Sequence, residues 1–270
     1  FVRGVTEAVN LVASSLGGQL FDEGDEIILS GLEHHSNIVP WQLVAEKAGA
    51  VIHVIPVTES GELDMATLDK LLSSKTKLVA VNHASNSLGT INPIESIISK
   101  AHAVGALVLI DGAQAAAHLD IDVQKLDCDF YCLSGHKMYG PTGVGVLYGK
   151  RALLEQMPPY QGGGEMIREV TFERTTFNDI PYKFEAGTPN IADVIALKPA
   201  FEFINALGKD AIRAHENELQ QHAAAQLRSI SGLRLIGTAK DKVSVQSFRL
   251  DGLHPFDVGQ LLDARGIAVR

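Results

Sequence analysis

The 270-residue chain is 46% hydrophobic and carries a formal net charge of -9, so it can bury a large core, and its acidity works against non-specific binding to nucleic acid or anionic membranes. No apolar run approaches the about 18 to 20 residues that cross a bilayer, and no basic stripe with interleaved aromatics is present. The length suits one large α/β domain with part of a second, since domains centre on about 100 to 200 residues. The two cysteines, Cys128 and Cys132, lie at a spacing used by neither zinc nor thioredoxin motifs. They read as reduced thiols buried on one face of a strand, in keeping with a cytoplasmic location.

In chain order, Thr6 opens an apolar period through Ala8, Val9, Leu11, Val12 and Leu16, which predicts a helix fed by a loop at residues 2–6. Thr6 is then either a plain helix cap or, beside the free amides of the first turn, a phosphate ligand. Residues 26–29 read as a strand, and a helix follows from near Ser36 with Pro40 tolerated in its first turn. Between them, Glu33-His34-His35 sets two histidines side by side. Because a helical metal site uses i, i+4 spacing, no metal is expected. Strands at 51–57 and 77–81 bracket a helix at 65–72, and this alternation predicts a parallel sheet covered on both faces. Ligands of such sheets gather at the carboxyl ends of the strands. Residues 82–90, with His83 and Asn86, occupy one such end.

A helix from Pro93 to about Val104, closed by Gly105, leads into the strand 106–110 with Asp111 at its tip. A carboxylate there is unfavourable without a cationic partner. Gln114 lies one turn further on, where it either caps the Ala115-Ala116-Ala117 turn or faces a ligand. The run 129–133 is a second short buried strand, and it delivers Lys137 to its carboxyl end, ahead of the turn cluster Gly140, Pro141, Gly143 and Gly145 and an apolar run at 144–148. Lys137 by itself could be an ordinary loop lysine. In a half-buried site, however, desolvation and nearby cations favour the neutral amine, which can hold an aldehyde as a Schiff base, the way pyridoxal phosphate is carried. Asp111 would then pair with the protonated pyridine nitrogen that makes that ring an electron sink.

The successive stretches 1–8 (Phe-Val-Arg-Gly-Val-Thr-Glu-Ala), 33–41 (Glu-His-His-Ser-Asn-Ile-Val-Pro-Trp), Ser85-Asn86, Asp111-Gly112-Ala113-Gln114, Ser134-Gly135-His136-Lys137 and 184–189 (Phe-Glu-Ala-Gly-Thr-Pro) resemble the motifs of the cysteine desulfurases, in particular the branch that includes selenocysteine lyase and the SufS and CsdA enzymes. The resemblance runs from the first residue to the last. It implies fold type I of the pyridoxal-phosphate enzymes, an α/β fold with a mostly parallel central sheet at 1–190 and an incomplete C-terminal α+β domain at 191–270. It also implies that His34 stacks on the cofactor ring, Gln114 bonds its phenolic O3′, and Thr6, Ser134 and His136 hold its phosphate. By the same resemblance Asn86 contacts the substrate carboxylate and the phenolic side of the cofactor, Arg270 pairs with the substrate carboxylate, and Thr188 reaches the phosphate of a neighbouring subunit. His35 and His83 are read as structural, His83 on the surface or behind the site. Arg270 read without the resemblance is an ordinary strand-end arginine.

The implied activity is release of sulfur from cysteine, or selenium from selenocysteine, onto a protein thiol, in a homodimer that serves a SufE- or CsdE-type acceptor protein. Aminotransferase and other class V chemistries, kynureninase-like or epimerase-like, remain open, because the cofactor residues alone do not choose the reaction. A non-catalytic scaffold that binds a sulfur acceptor is a third reading, one against which the joint presence of Asp111, His34 and Lys137 argues. Residues 158–164, Pro-Pro-Tyr-Gln-Gly-Gly-Gly, read as a long functional loop without a nucleotide-binding pattern. Helices are predicted at 195–207, 211–229 and 256–264, β-runs at 233–236 and 243–250, and 266–270 as the start of a strand. The chain reads as an internal segment of a longer protein. In the resembled family the sulfur-accepting cysteine lies a few residues after a Gly-Ile-x-x-Arg run such as 266–270, so this segment alone is expected to be inactive.

Overall fold

The computed structural model describes all residues, 1–270. Its centre is a six-stranded sheet in the order β2-β1-β3-β4-β5-β6, formed by β1 (Glu26–Ser30), β2 (Val51–Ile55), β3 (Thr76–Asn82), β4 (Leu107–Asp111), β5 (Phe130–Ser134) and β6 (Gly145–Gly149). The first five strands are parallel, and β6 returns antiparallel to β5. Helices α1 (Val5–Leu20), α2 (Val39–Ala48), α3 (Met65–Leu71), α4 (Ile94–Ala103), the short α5 (Val123–Leu126) and α6 (Arg151–Gln156) connect or flank these strands. Short strands of Val, Ile and Leu alternating with amphipathic helices bury both sheet faces, as parallel sheets require. One apolar cluster joins α1 and Trp41 of α2 to Leu29, Leu78, Leu109, Phe130 and Cys132, while the other joins α4 and Leu68 of α3 to Ile28, Val79, Val108 and Tyr131.

The two cysteines correct one expectation. Cys132 belongs to the first cluster and Cys128 to the second. Cys128 precedes β5 and sits across the sheet from Cys132, because the chain is not yet a strand there and the period-two rule does not apply to it.

Beyond α6, the segment read as a loop leads into a hairpin, β7 (Ile167–Val170) with β8 (Thr175–Phe177), that the sequence pattern did not announce. Helices α7 (Ile191–Leu207) and α8 (Lys209–Arg228) then run to the antiparallel pair β9 (Leu233–Ile236) and β10 (Ser247–Leu250) and to α9 (Pro255–Asp263). The predicted strand at 266–270 does not form; Gly266 takes φ 74° and residues 267–270 belong to no strand or helix. A β-run without a neighbour to accept its amides has nothing to hold it as a strand. Two polar contacts tie α8 back to the sheet domain: His118 Nδ1 with Glu216 Oε1 at 2.8 Å, and Lys209 Nζ donating to the Leu119 carbonyl at 2.7 Å. No helix is long and apolar enough to cross a membrane.

Candidate active site

β5 ends in Ser134, and one tight turn, Gly135–Lys137, carries the lysine out of the sheet. That turn is held from outside by α7. A Cβ on Gly135 would lie 2.8 Å from Leu197 Cδ2, and one on Gly140 would lie 2.9 Å from the same atom, so both glycines are the space that Leu197 occupies. Met138 packs on Ile204, and Tyr139, with φ 60°, sets its ring edge-on to Phe203 at 5.4 Å. A left-handed tyrosine is an unfavourable backbone conformation. Burial pushes the Lys137 amine below its ordinary pKa; Asp111 opposes this and the Arg270 guanidinium adds to it.

Asp111 closes β4 and is 4% exposed. Its Oδ1 accepts from the Ala113 amide at 2.9 Å, and burial raises its pKa against the pull of that amide, Lys137 and His34. Directly behind it stands the Tyr131 ring, so close to Gly112 that an added Cβ would meet it at 2.1 Å. The Tyr131 hydroxyl pairs with His83 Nδ1 at 3.0 Å, and burial holds the His83 imidazole down at about 4, a neutral ring. His83 is therefore an interior residue and not a surface one.

His34 caps its own turn, its Nδ1 2.8 Å from Ser36 Oγ, and burial followed by the Lys137 charge keeps it below the usual histidine range. Next to it is a residue whose part the sequence reading missed. Glu33 accepts from Ser30 Oγ at 2.5 Å, Asn37 Nδ2 at 2.7 Å and the Asn82 amide at 2.9 Å, and burial nevertheless raises its pKa to about 8. It bolts the histidine turn to the end of β3. The signal was available: Asp111 is a carboxylate at the end of a buried strand and Glu33 one just past the end of another.

These elements converge on one cavity of about 230 Å³ lined by Thr6, His34, Asn86, Asp111, Gln114, Ser134, His136, Lys137 and Arg270, together with Ser36, Asn82 and three small apolar residues. It opens at the carboxyl ends of β3, β4 and β5 and at the first turn of α1, whose Val5 amide donates to Ser134 Oγ at 2.9 Å. Thr188 is not among the lining residues. It borders a separate groove of about 390 Å³ with Glu185, Tyr160 and Phe184.

The class-V aminotransferase family profile matches residues 1–270. The chain belongs to the class-V aminotransferase family. Within that family it is 54% identical to a cysteine desulfurase of Dickeya dadantii over its whole length and 66% of that relative, and 53% identical to a cysteine desulfurase of Synechococcus elongatus, of which it covers 43%. This class-V chain thus spans less than two thirds of these curated relatives. The crystal structure of the cysteine desulfurase CsdA from Escherichia coli superposes on the whole chain with a TM-score of 0.95 at 41% identity, the chain covering 67% of it. A complex of the cystine C-S lyase C-DES with its product cysteine persulfide superposes with a TM-score of 0.87 at 25% identity. The α/β architecture is that of the fold-type I pyridoxal-phosphate enzymes.

Proposed function

We propose that the intact protein binds pyridoxal phosphate on Lys137 and is a cysteine desulfurase, which takes sulfur from L-cysteine, leaves L-alanine and loads a protein thiol as a persulfide. The observation that carries this reading is the convergence, in one cavity, of a half-buried lysine, a buried carboxylate and a set of polar groups without partners in the chain. The side chains of Thr6, Asn86, Gln114, His136, Lys137 and Arg270 line the cavity, and none of them appears in a hydrogen bond or ion pair with another residue. A phosphate at α1, a phenolic oxygen and a pyridine nitrogen match these donors and the one carboxylate. When bound, pyridoxal phosphate supplies an electrophilic aldehyde and a ring that takes up electrons.

The chain's own residues then have distinct tasks. Thr6, Ser134, His136 and the α1 amides would hold the phosphate. Asp111 would keep a proton on the pyridine nitrogen, and that cation would relieve the unfavourable burial of its carboxylate. The neutral imidazole of His34 can lie against the ring and pass a proton to or from the substrate. Lys137, whose burial favours the neutral amine, would move the proton at the substrate α-carbon. Arg270 and Asn86 orient the substrate carboxylate, the arginine by paired charge-assisted hydrogen bonds. Carbon keeps the electron pair of the broken C–S bond and gains a proton, while the sulfur joins the attacking thiolate.

That thiolate is supplied by neither cysteine of this chain. Cys128 and Cys132 are both 0% exposed, and burial pushes the Cys128 thiol up to about 11 and the Cys132 thiol well above its ordinary value. We place the acceptor cysteine outside residues 1–270, Thr188 at the site of a partner subunit in a symmetric dimer, and residues 191–270 in a second domain. An acceptor protein of SufE or CsdE type belongs to the same reading.

The test is borohydride reduction of the intact protein followed by peptide mapping, together with an assay of alanine formed from cysteine. The pyridoxyl group is expected on Lys137, and Asp111→Asn is expected to lower turnover about 10²-fold or more while leaving the fold intact. Label on another lysine, or undiminished alanine release by Asp111→Asn, would overturn the site. Pyruvate-dependent amino transfer without sulfur release would mark an aminotransferase.

A further inference from the structure

Another cavity, of about 340 Å³, lies between α8 and residues 235–246, away from the lysine. Four cationic side chains line it, Arg213 and Arg228 from α8 and Lys240 and Lys242 from the facing segment, against one carboxylate, Asp241. The whole chain is acidic at -9, so this is a local reversal of sign. None of the four cations makes an ion pair, although the N-terminus and other lysines and arginines make nine such pairs elsewhere in the molecule. Lys242 is only 9% exposed, and its ammonium has just the Gly237 carbonyl as a partner. Neutral amides from Asn217, Gln220 and Gln246 complete a wall rich in hydrogen-bond donors. A buried ammonium without an anion is held at a free-energy cost, which an anionic ligand would offset.

The floor of this cavity is also the support of the Asn86 loop. Lys242 bridges Thr90 as an isolated β-pair; the Ile91 amide donates to the Asp241 carbonyl at 3.0 Å, and the Val243 amide to the Gly89 carbonyl at 2.8 Å. Ser247 Oγ donates to the Ser87 carbonyl. Gly237 leaves room for Leu88, whose Cβ would stand 2.9 Å from a Cβ at position 237. Residues 237–247 are thus a slab with cations on one side and the loop 85–91 on the other.

We propose that this cavity binds a small multivalent anion bearing phosphate or carboxylate groups, and that its occupancy is transmitted through residues 241–243 to the loop that carries Asn86. The site does not depend on which class-V reaction the enzyme performs. Arg213, Arg228 and Lys240 supply the exposed charge and Lys242 the buried charge, and the ligand must be compact enough for the cavity, which favours a diphosphate- or tricarboxylate-sized ion over a polymer.

The test uses intact protein loaded with its cofactor, so that the phosphate subsite at α1 is taken. Calorimetric titration with pyrophosphate, and separately with citrate, distinguishes phosphate from carboxylate chemistry. Saturable binding of at least one of them, one per chain, is expected, and Arg228→Gln with Lys240→Gln should weaken it by about tenfold or more. The pair Arg151→Gln and Arg168→Gln removes the same charge elsewhere and should leave the affinity within about twofold. Hydrogen exchange at the amides of Ile91 and Val243 should slow when the anion is bound and not in the Arg228/Lys240 double variant. No saturable binding of either ion, or an equal loss of affinity in the two double variants, would overturn the site; unchanged exchange at Ile91 and Val243 with the anion bound would overturn the coupling.

Discussion

The central strands and the C-terminal ribbon are two kinds of structure in one chain. Ile27, Ile28, Leu78, Val79, Val108 and Leu109 are all 0% exposed, whereas no residue of β9, β10 or α9 is buried. The chemistry divides the same way. Asp111, Glu33 and Lys137 stand at or just beyond strand ends of the enclosed region, where burial shifts their proton affinities, and the exposed His34 beside them feels the Lys137 charge as well. The later region acts through a few contacts: Leu197 on the lysine turn, Val243 on the Asn86 loop and Arg270 at the cavity wall. A dry sheet sets protonation, and a lightly packed second layer sets position.

The largest effect expected from the enclosed region is that of Lys137→Ala. In the intact protein it should lower alanine formation by about 10³-fold, within the range of a proton-transfer group, with a melting temperature close to wild type. An unchanged rate would remove the lysine from the chemistry and the contrast with it.

Leu197→Ala tests whether the second layer matters at single residues. Loss of a buried leucine should lower unfolding stability by about 2 to 5 kcal/mol in urea titration, and should lower kcat more than KM because the Lys137 turn loosens. Leu219→Ala, on the exposed side of α8, should change stability by less than about 0.5 kcal/mol. Equal effects of the two would erase the distinction between clamping and surface residues.

The neutral His83 provides a pH test of the enclosed region. Its imidazole falls from an ordinary value of about 6.5 to about 4 in the folded protein, so the folded state binds fewer protons than the unfolded one between these values. Its contribution is complete above about pH 6.5 and is lost as the pH falls through 4. Wild type should therefore lose about 3 kcal/mol relative to His83→Gln between pH 7 and pH 4, measured by denaturant unfolding at each pH. Parallel pH profiles for the two proteins would mean that the ring is not desolvated.

The smallest change is expected at the cysteines. Replacing both Cys128 and Cys132 with alanine should cost about 1 to 3 kcal/mol through the small cavities left in the two clusters, with persulfide formation retained. Loss of the persulfide with the cofactor still bound would make one of them the sulfur carrier.

Much of this molecule was determined by sequence alone. Short β-branched runs that alternate with amphipathic helices leave a parallel sheet as the economical way to bury both faces, and polar or charged residues at the ends of such runs, Asp111 and Lys137 above all, mark where ligands gather. What the sequence could not decide is everything that depends on residues far apart in the chain. The β7–β8 hairpin has too few residues for its alternation to show, and residues 266–270 had a strand-like composition but no neighbouring strand to receive their amides. Gly135 and Gly140 could be seen as turn residues, but that they make room for Leu197 is a fact about the approach of α7. The convergence of Arg270 with Thr6 across the full length of the chain, the exclusion of Thr188 from that cavity, and the placing of Cys128 and Cys132 on opposite faces of the sheet were likewise decided by tertiary structure. The physical reason is that periodicity is a property of neighbours along the chain, whereas burial, and with it the charge state of Glu33, Asp111 and Lys137, is a property of neighbours in space.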